Sequence, residues 1–197
     1  MTQAPLMDRI HITEDYDVPR VINGGWQLSA GHALERPLDL ADASRAFNRL
    51  IDMGFDTFDC ADIYTGVEDF FGGIIRERRK AGLRLPQIHT KFVPDLNDLA
   101  NVTPAYVENI ITRSLRRLGV ERLDAVQFHW WDYSVPGMVD VAGELVRLQE
   151  KGLIRLISTT NFNAVELRKL IDAGIPVATN QCQYSVLDRR PAMRLQR

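Results

Sequence analysis

Strand-like runs recur along this chain every 30 residues or so, about the length of a strand, a crossover helix and the return to the next strand. This rhythm constrains the fold more than any other feature. The runs are VINGGWQL (residues 21–28), DTFDCA (56–61), IHTKFV (88–93), LDAVQFH (123–129), IRLISTT (154–160) and PVATNQC (176–182). Units of this kind build a parallel sheet with right-handed crossovers. An earlier segment, RIHITEDYDVPRVI, reads as a hairpin ahead of the first unit.

Helical patterns fill the gaps. The clearest spans 104–118, where Val107, Ile110, Ile111, Ser114, Leu115 and Leu118 recur at helical spacing. Thr103 can cap its start, Pro104 suits the first turn and Gly119 suits the stop. Arg113, Arg116 and Arg117 suit the negative end of the helix dipole. Over 163–173, Asn163 with Glu166 resembles a capping box, Leu167, Leu170 and Ile171 form the stripe, and Gly174 ends it. Further helical patterns cover 39–53, 67–79 and 139–151.

An alternating strand–helix chain can form an open doubly wound sheet or a barrel. The open dinucleotide-binding form calls for GxGxxG after an early strand, and neither Gly24-Gly25 nor Gly72-Gly73 fits. A barrel gathers functional groups at the C-terminal ends of successive strands. Such groups are present: Asp59, Lys91, His129, Thr160 with Asn161, and Asn180 with Gln181 end five consecutive runs. Tyr64 follows Asp59 in the loop that would overhang the mouth. An ammonium beside a phenol lowers its pKa. Lys91, held by Asp59, would therefore make Tyr64 a tuned proton donor, and His129 could orient a substrate oxygen. The competing readings are a structural ion pair for Asp59 and Lys91, a wall residue for Tyr64 and a core histidine for His129. Asp56 reads as a strand start and Asp62 as a loop contact.

DxAxxY at residues 59–64, the lysine of HTKF (Lys91) and the histidine of QFHWWDY (His129) together resemble the catalytic tetrad of the aldo-keto reductases. So do GGW, STTNF and NQCQYSVLDRRP, in the same order along residues 20–191. The resemblance implies a (β/α)8 barrel that binds NADPH (NADP+) without a Rossmann domain and reduces an aldehyde or ketone. It assigns Tyr64 as acid, Lys91 as its tuner, Asp59 as the holder of Lys91, and His129 as the group that positions the carbonyl. It places Thr160, Asn161 and Gln181 on the nicotinamide carboxamide, and Gly25 and Trp26 at the cofactor- and substrate-facing end of the first strand. Trp130 and Trp131 would line the substrate pocket, or else pack over the barrel mouth. The family usually has Gly-x-Ser-Asn after the fifth strand, whereas this chain has Ser158-Thr159-Thr160-Asn161.

Only about six βα units are legible in the 197 residues, against eight in a full barrel. The expectation is one partial α/β domain over 1–197, of (β/α)8 TIM-barrel type, truncated before the segment that holds the cofactor phosphates. Its open edges invite self-association. A non-catalytic binding or regulatory protein on the same scaffold is the alternative.

The resemblance implies a small-molecule carbonyl or alcohol substrate, and composition points to no nucleic-acid or membrane partner. Twenty-four basic and 26 acidic residues give a net charge of −2, no basis for holding nucleic acid or an anionic membrane. The sequence has no membrane-length apolar run, and the N-terminus lacks a signal-peptide core, so the expected location is the cytoplasm. Cys60 and Cys182 read as buried reduced thiols. His11, His32, His89 and His129 show no HxH or HExxH spacing, so no metal is expected.

Overall fold

The computed structural model describes residues 8–29 and 39–195. His32 lies outside them. The expected hairpin is present: β1 (Arg9–Thr13) pairs antiparallel with β2 (Tyr16–Pro19). Then come β3 (Asn23–Gly24), α1 (Leu40–Asp52), β4 (Thr57–Asp59), α2 (Val67–Lys80), β5 (Gln87–Phe92), α3 (Pro104–Leu118), β6 (Leu123–Phe128), α4 (Met138–Glu150), β7 (Ile154–Thr160), α5 (Ala164–Asp172), β8 (Val177–Gln181) and a short α6 (Arg190–Arg194).

Strands β3 to β8 form one parallel sheet whose spatial order equals chain order. That is barrel topology, since a doubly wound sheet reverses direction at a switch point. The sheet curls strongly. Gln181 at the end of β8 reaches back inside to Asp59 at the end of β4, with Nε2 3.1 Å from Oδ1. The result is an incomplete (β/α)8 arrangement with helices on its outer face.

Two apolar layers hold it. Outside the sheet, Phe58, Phe92, Val126, Phe128 and Ile157 pack on helix residues such as Phe71, Ile75, Ile111, Leu118, Leu145 and Leu170, all at most 2% exposed. Full burial of such side chains is worth roughly 1.5–3 kcal/mol each. Inside, the hairpin plugs the N-terminal end of the strands with Tyr16 and Val18 against Ala125 and Leu156. Asp56, just before β4, is buried between Arg9, at 2.9 Å, and Arg84.

The first strand differs from expectation. Only Asn23–Gly24 is extended, and Trp26–Leu28 forms a 3-10 turn. A Cβ on Gly25 would stand 2.9 Å from both Val67 and Phe71, and the Gly25 amide makes a last 2.7 Å bond to the Asp59 carbonyl before the chain turns. Helix bounds match to within a residue. Thr103 and Asn163 cap as expected, but Glu166 turns its carboxylate to Lys169 instead of closing the capping box. Cys60 is buried, whereas Cys182 is only half-buried. Among the described residues no helix is long and apolar enough to cross a membrane.

Candidate active site

Parallel strands present their C-terminal ends to one face. Strand alternation then decides which side chains enter the interior. Lys91 on β5 and Gln127 on β6 are register partners and point the same way. Lys91 is 7% exposed; its Nζ donates to Asp59 Oδ2 at 2.6 Å and to the Cys60 carbonyl at 2.9 Å. Gln127, also buried, donates Nε2–H to Asp59 Oδ1 at 2.6 Å. Below this layer Tyr16 Oη lies 2.9 Å from His89 Nε2. Burial pushes the His89 imidazole down to about 4, so it is neutral near pH 7. A cavity of about 230 Å³ opens against Asp59, His89, Gln127 and Gln181.

The structure brings Tyr64 to the pair, with Lys91 Nζ 5.1 Å from its ring centroid. The expected tuning is not what the geometry gives. Burial, then the Asp59 charge, then Cys60 push the phenol up to about 12. Lys91 lies 2.6 Å from a carboxylate, so at Tyr64 the ammonium is offset by the negative charge that holds it. The phenol therefore keeps its proton throughout the neutral range. Among the described residues the Tyr64 hydroxyl has no hydrogen-bond partner.

His129, at the same end of the sheet, has Nδ1 3.3 Å from the Thr160 carbonyl. A carbonyl only accepts, so this contact places a proton on Nδ1 and leaves Nε2 an acceptor in the neutral ring. To donate to a substrate carbonyl through Nε2, the ring must be protonated or must release Thr160. Burial holds its pKa below the ordinary value, against the Thr160 contact and with help from the Lys91 charge.

The indoles divide. Trp131 is 48% exposed, meets His129 edge-on at 4.5 Å and donates to the Pro94 carbonyl at 2.7 Å. Trp26 is comparably exposed at the end of β3. Trp130 is 1% exposed in the main core and donates to the Val135 carbonyl at 3.2 Å, so its role is packing. Its neighbour takes the opposite side of the chain and faces the mouth.

Thr160, Asn161 and Gln181 converge at the ends of β7 and β8. Thr160 Oγ1 is 3.4 Å from Gln181 Oε1, the Asn161 amide bonds the Gln181 carbonyl at 2.7 Å, and Asn161 has a positive φ of 61°. A hydroxyl and primary amides supply both the donors and the acceptor that a carboxamide needs, so the donor set fits a nicotinamide. Ser158, where the family usually has glycine, accepts a 2.9 Å hydrogen bond from the Thr179 hydroxyl and joins β7 to β8.

Asp62 is more than a loop contact. It is buried with Arg113 at 3.1 Å and the Val93 amide at 3.1 Å, and Arg117 reaches both the Asp62 carbonyl and Glu68. Burial, then the Glu68 charge, push its carboxyl up to about 7 against both arginines and the amide. These contacts tie the Tyr64 loop to α3. The sequence offered one sign of Gln127: in a strand it shares a face with His129, two residues on.

The model of the aldo/keto reductase family matches residues 20–196. The chain belongs to the aldo/keto reductase family. It is 29% identical over 190 residues to methylglyoxal reductase DkgA of Yersinia pestis, covering 95% of this chain and 60% of that protein. It is 27% identical over 201 residues to the NADH-specific methylglyoxal reductase of Escherichia coli, covering 90% of this chain and 58% of that protein. Among solved structures, a thermostable aldo-keto reductase in complex with the inhibitor epalrestat superposes with a TM-score of 0.78 at 22% identity, over 95% of this chain and 66% of that one. That likeness bears on the fold. This family member spans less than two thirds of the length of each of these three proteins.

Proposed function

We propose that this chain carries the reaction centre of a nicotinamide-dependent reductase that converts an aldehyde or ketone to an alcohol. The observation that carries the reading is the Lys91–Asp59 pair at 2.6 Å beneath the Tyr64 ring, with His129 at the same end of the sheet. The cofactor, when bound, supplies the hydride. Thr160, Asn161 and Gln181 would hold its carboxamide, with Gly25 and Trp26 at the facing edge. Tyr64 gives its proton to the oxygen: an alkoxide is a stronger base than a phenolate, so even a phenol near 12 donates downhill. Lys91 then stands beside the phenolate left behind, Asp59 holds Lys91, and His129 and Trp131 bound the carbonyl. Small carbonyl compounds fit this reading, since two relatives are named methylglyoxal reductases. The resemblance favours NADPH, while one relative is named as NADH-specific, so the test uses both.

Fluorescence titration with NADPH and NADH is expected to show saturable binding. Tyr64→Phe should lower carbonyl reduction at least 100-fold, within the range typical of a lost general acid, and leave cofactor binding within about twofold. Retained turnover removes Tyr64 from the acid role. No binding of either cofactor removes the reductase reading for this chain and favours a non-catalytic one. Gln181, which spends its amide on Asp59 at 3.1 Å, gives that second reading a footing.

A further inference from the structure

The reductase reading leaves one group at the centre of the site unassigned, the buried amide of Gln127. A carboxylate turns easily about its last bond, because that torsion is broad and two-fold. Asp59 can hold Lys91 in one place only if its own second oxygen is held. The structure shows the two oxygens divided between partners: Lys91 takes Oδ2 at 2.6 Å, and Gln127 takes Oδ1 at 2.6 Å. Gln181 also reaches Oδ1, at 3.1 Å, but Gln181 is exposed at the mouth, and its Oε1 faces the Thr160 hydroxyl. If Gln181 serves a bound carboxamide, Gln127 is the donor that stays on Oδ1. Its place is fixed by the ladder, where it is the register partner of Lys91, and by its own burial at 3% exposure.

We infer that Gln127 is a positioning residue of the reductase site: by clamping Asp59 Oδ1 it fixes the Asp59–Lys91 pair, and through it the charge beside Tyr64. The inference rests on the reductase reading for its purpose, but its geometry can be tested without turnover. A second strong donor on a charged acceptor belongs to the stronger class of hydrogen bonds, so its loss should free Lys91 measurably.

The test is solvent exchange of the Lys91 ammonium protons in the ¹⁵N-labelled 197-residue chain, assigned by their disappearance in Lys91→Met. In the wild type, exchange is expected to be slow. Gln127→Leu, which keeps the volume and removes the donor, should accelerate it at least tenfold. Gln127→Glu keeps the shape and covers the case in which Gln127→Leu fails to fold. At low pH the introduced carboxyl retains a proton and donates to Asp59, so exchange stays slow. As pH rises the shared proton is lost, the two carboxylates repel, and exchange should accelerate relative to wild type beyond the common base-catalysed trend. A residue that only packs would not produce this crossover. Unchanged Lys91 exchange in Gln127→Leu, or a Gln127→Glu profile parallel to wild type, overturns the inference. Failure of wild-type chain to bind NADPH or NADH counts against the reductase reading alone and leaves the exchange result standing.

Discussion

Asp62→Asn tests whether the Tyr64 loop rests on a buried, proton-sensitive anchor. The folded carboxyl titrates at about 7 against an ordinary 3.8. At 1.36 kcal/mol per unit, a gap of about three units amounts to roughly 4 kcal/mol of linkage. A carboxyl with a raised folded value binds its proton more tightly in the native state. Its contribution is complete below about 4, declines at up to ~1.4 kcal/mol per pH unit as pH rises, and is gone above about 7. His89 opposes it over part of this range. Its imidazole is lowered from 6.5 to about 4, so stability from that source rises between those values. The wild-type curve is therefore flattened, and only a difference isolates Asp62. The amide introduced by the substitution is uncharged at every pH. Urea unfolding of wild type and Asp62→Asn, followed by tryptophan fluorescence from pH 4 to 8, thus removes the His89 contribution common to both. The variant is expected to gain on wild type steadily with pH, by up to roughly 4 kcal/mol across the window. A flat difference, or one that falls with pH, refutes the buried anchor.

Adjacent glycines in α2 should behave oppositely. A Cβ on Gly72 would stand 2.1 Å from the Arg117 carbonyl oxygen, so Gly72→Ala must part α2 from α3 and should cost about 3 kcal/mol, whereas Gly73 meets nothing within 4 Å and Gly73→Ala should stabilise by up to ~1 kcal/mol; thermal unfolding checks both. Tyr16→Phe leaves His89 Nε2 without its 2.9 Å partner and should cost about 1–3 kcal/mol in urea unfolding. An apolar groove of about 380 Å³ lies along β8 beside Leu167, Ile171 and Tyr184, and Val186 and Leu187 are more than 90% exposed. Self-association is therefore expected in light scattering, and a concentration-independent monomer refutes it.

The sheet was legible because burial and period leave few alternatives. Short apolar runs separated by amphipathic stretches can hardly be anything but parallel strands, and caps such as Thr103 and Asn163 mark helix starts by local chemistry. Less legible was whatever depends on distance between segments. Leu28 looks as strand-like as its neighbours, yet the chain leaves the sheet after Gly24 and turns at Gly25, where Val67 and Phe71 leave no room for a Cβ. Trp130 and Trp131 are adjacent in sequence and alike in type, and only the turn after β6 sends one inward and one to the mouth. The four candidate residues could be named from the family resemblance of their motifs, but the charge that Tyr64 feels could not. It depends on the 2.6 Å separation of Lys91 and Asp59, which converts an isolated ammonium into a nearly neutral pair.

The segment FDTFDCADIY gains its meaning from that same dependence on distance. Its three aspartates stand three residues apart, and each meets a cation from a different part of the fold. Asp56 is held by Arg9 of the hairpin and by Arg84, Asp59 by Lys91 inside the curled sheet, and Asp62 by Arg113 of the outer helix layer. One short stretch is thus pinned at the plugged end, at the mouth and at the outer face. Removing the partners of Asp56 leaves a buried charge uncompensated, whereas Asp62, pushed up to about 7, can take up a proton instead, and the tethers restrain one another along ten residues. Among the described residues, none hydrogen-bonds the hydroxyl of Tyr64, which closes the stretch. Its position is set by its neighbours' ion pairs, which leaves the phenolic oxygen uncommitted, as the proton-donor role proposed for it requires.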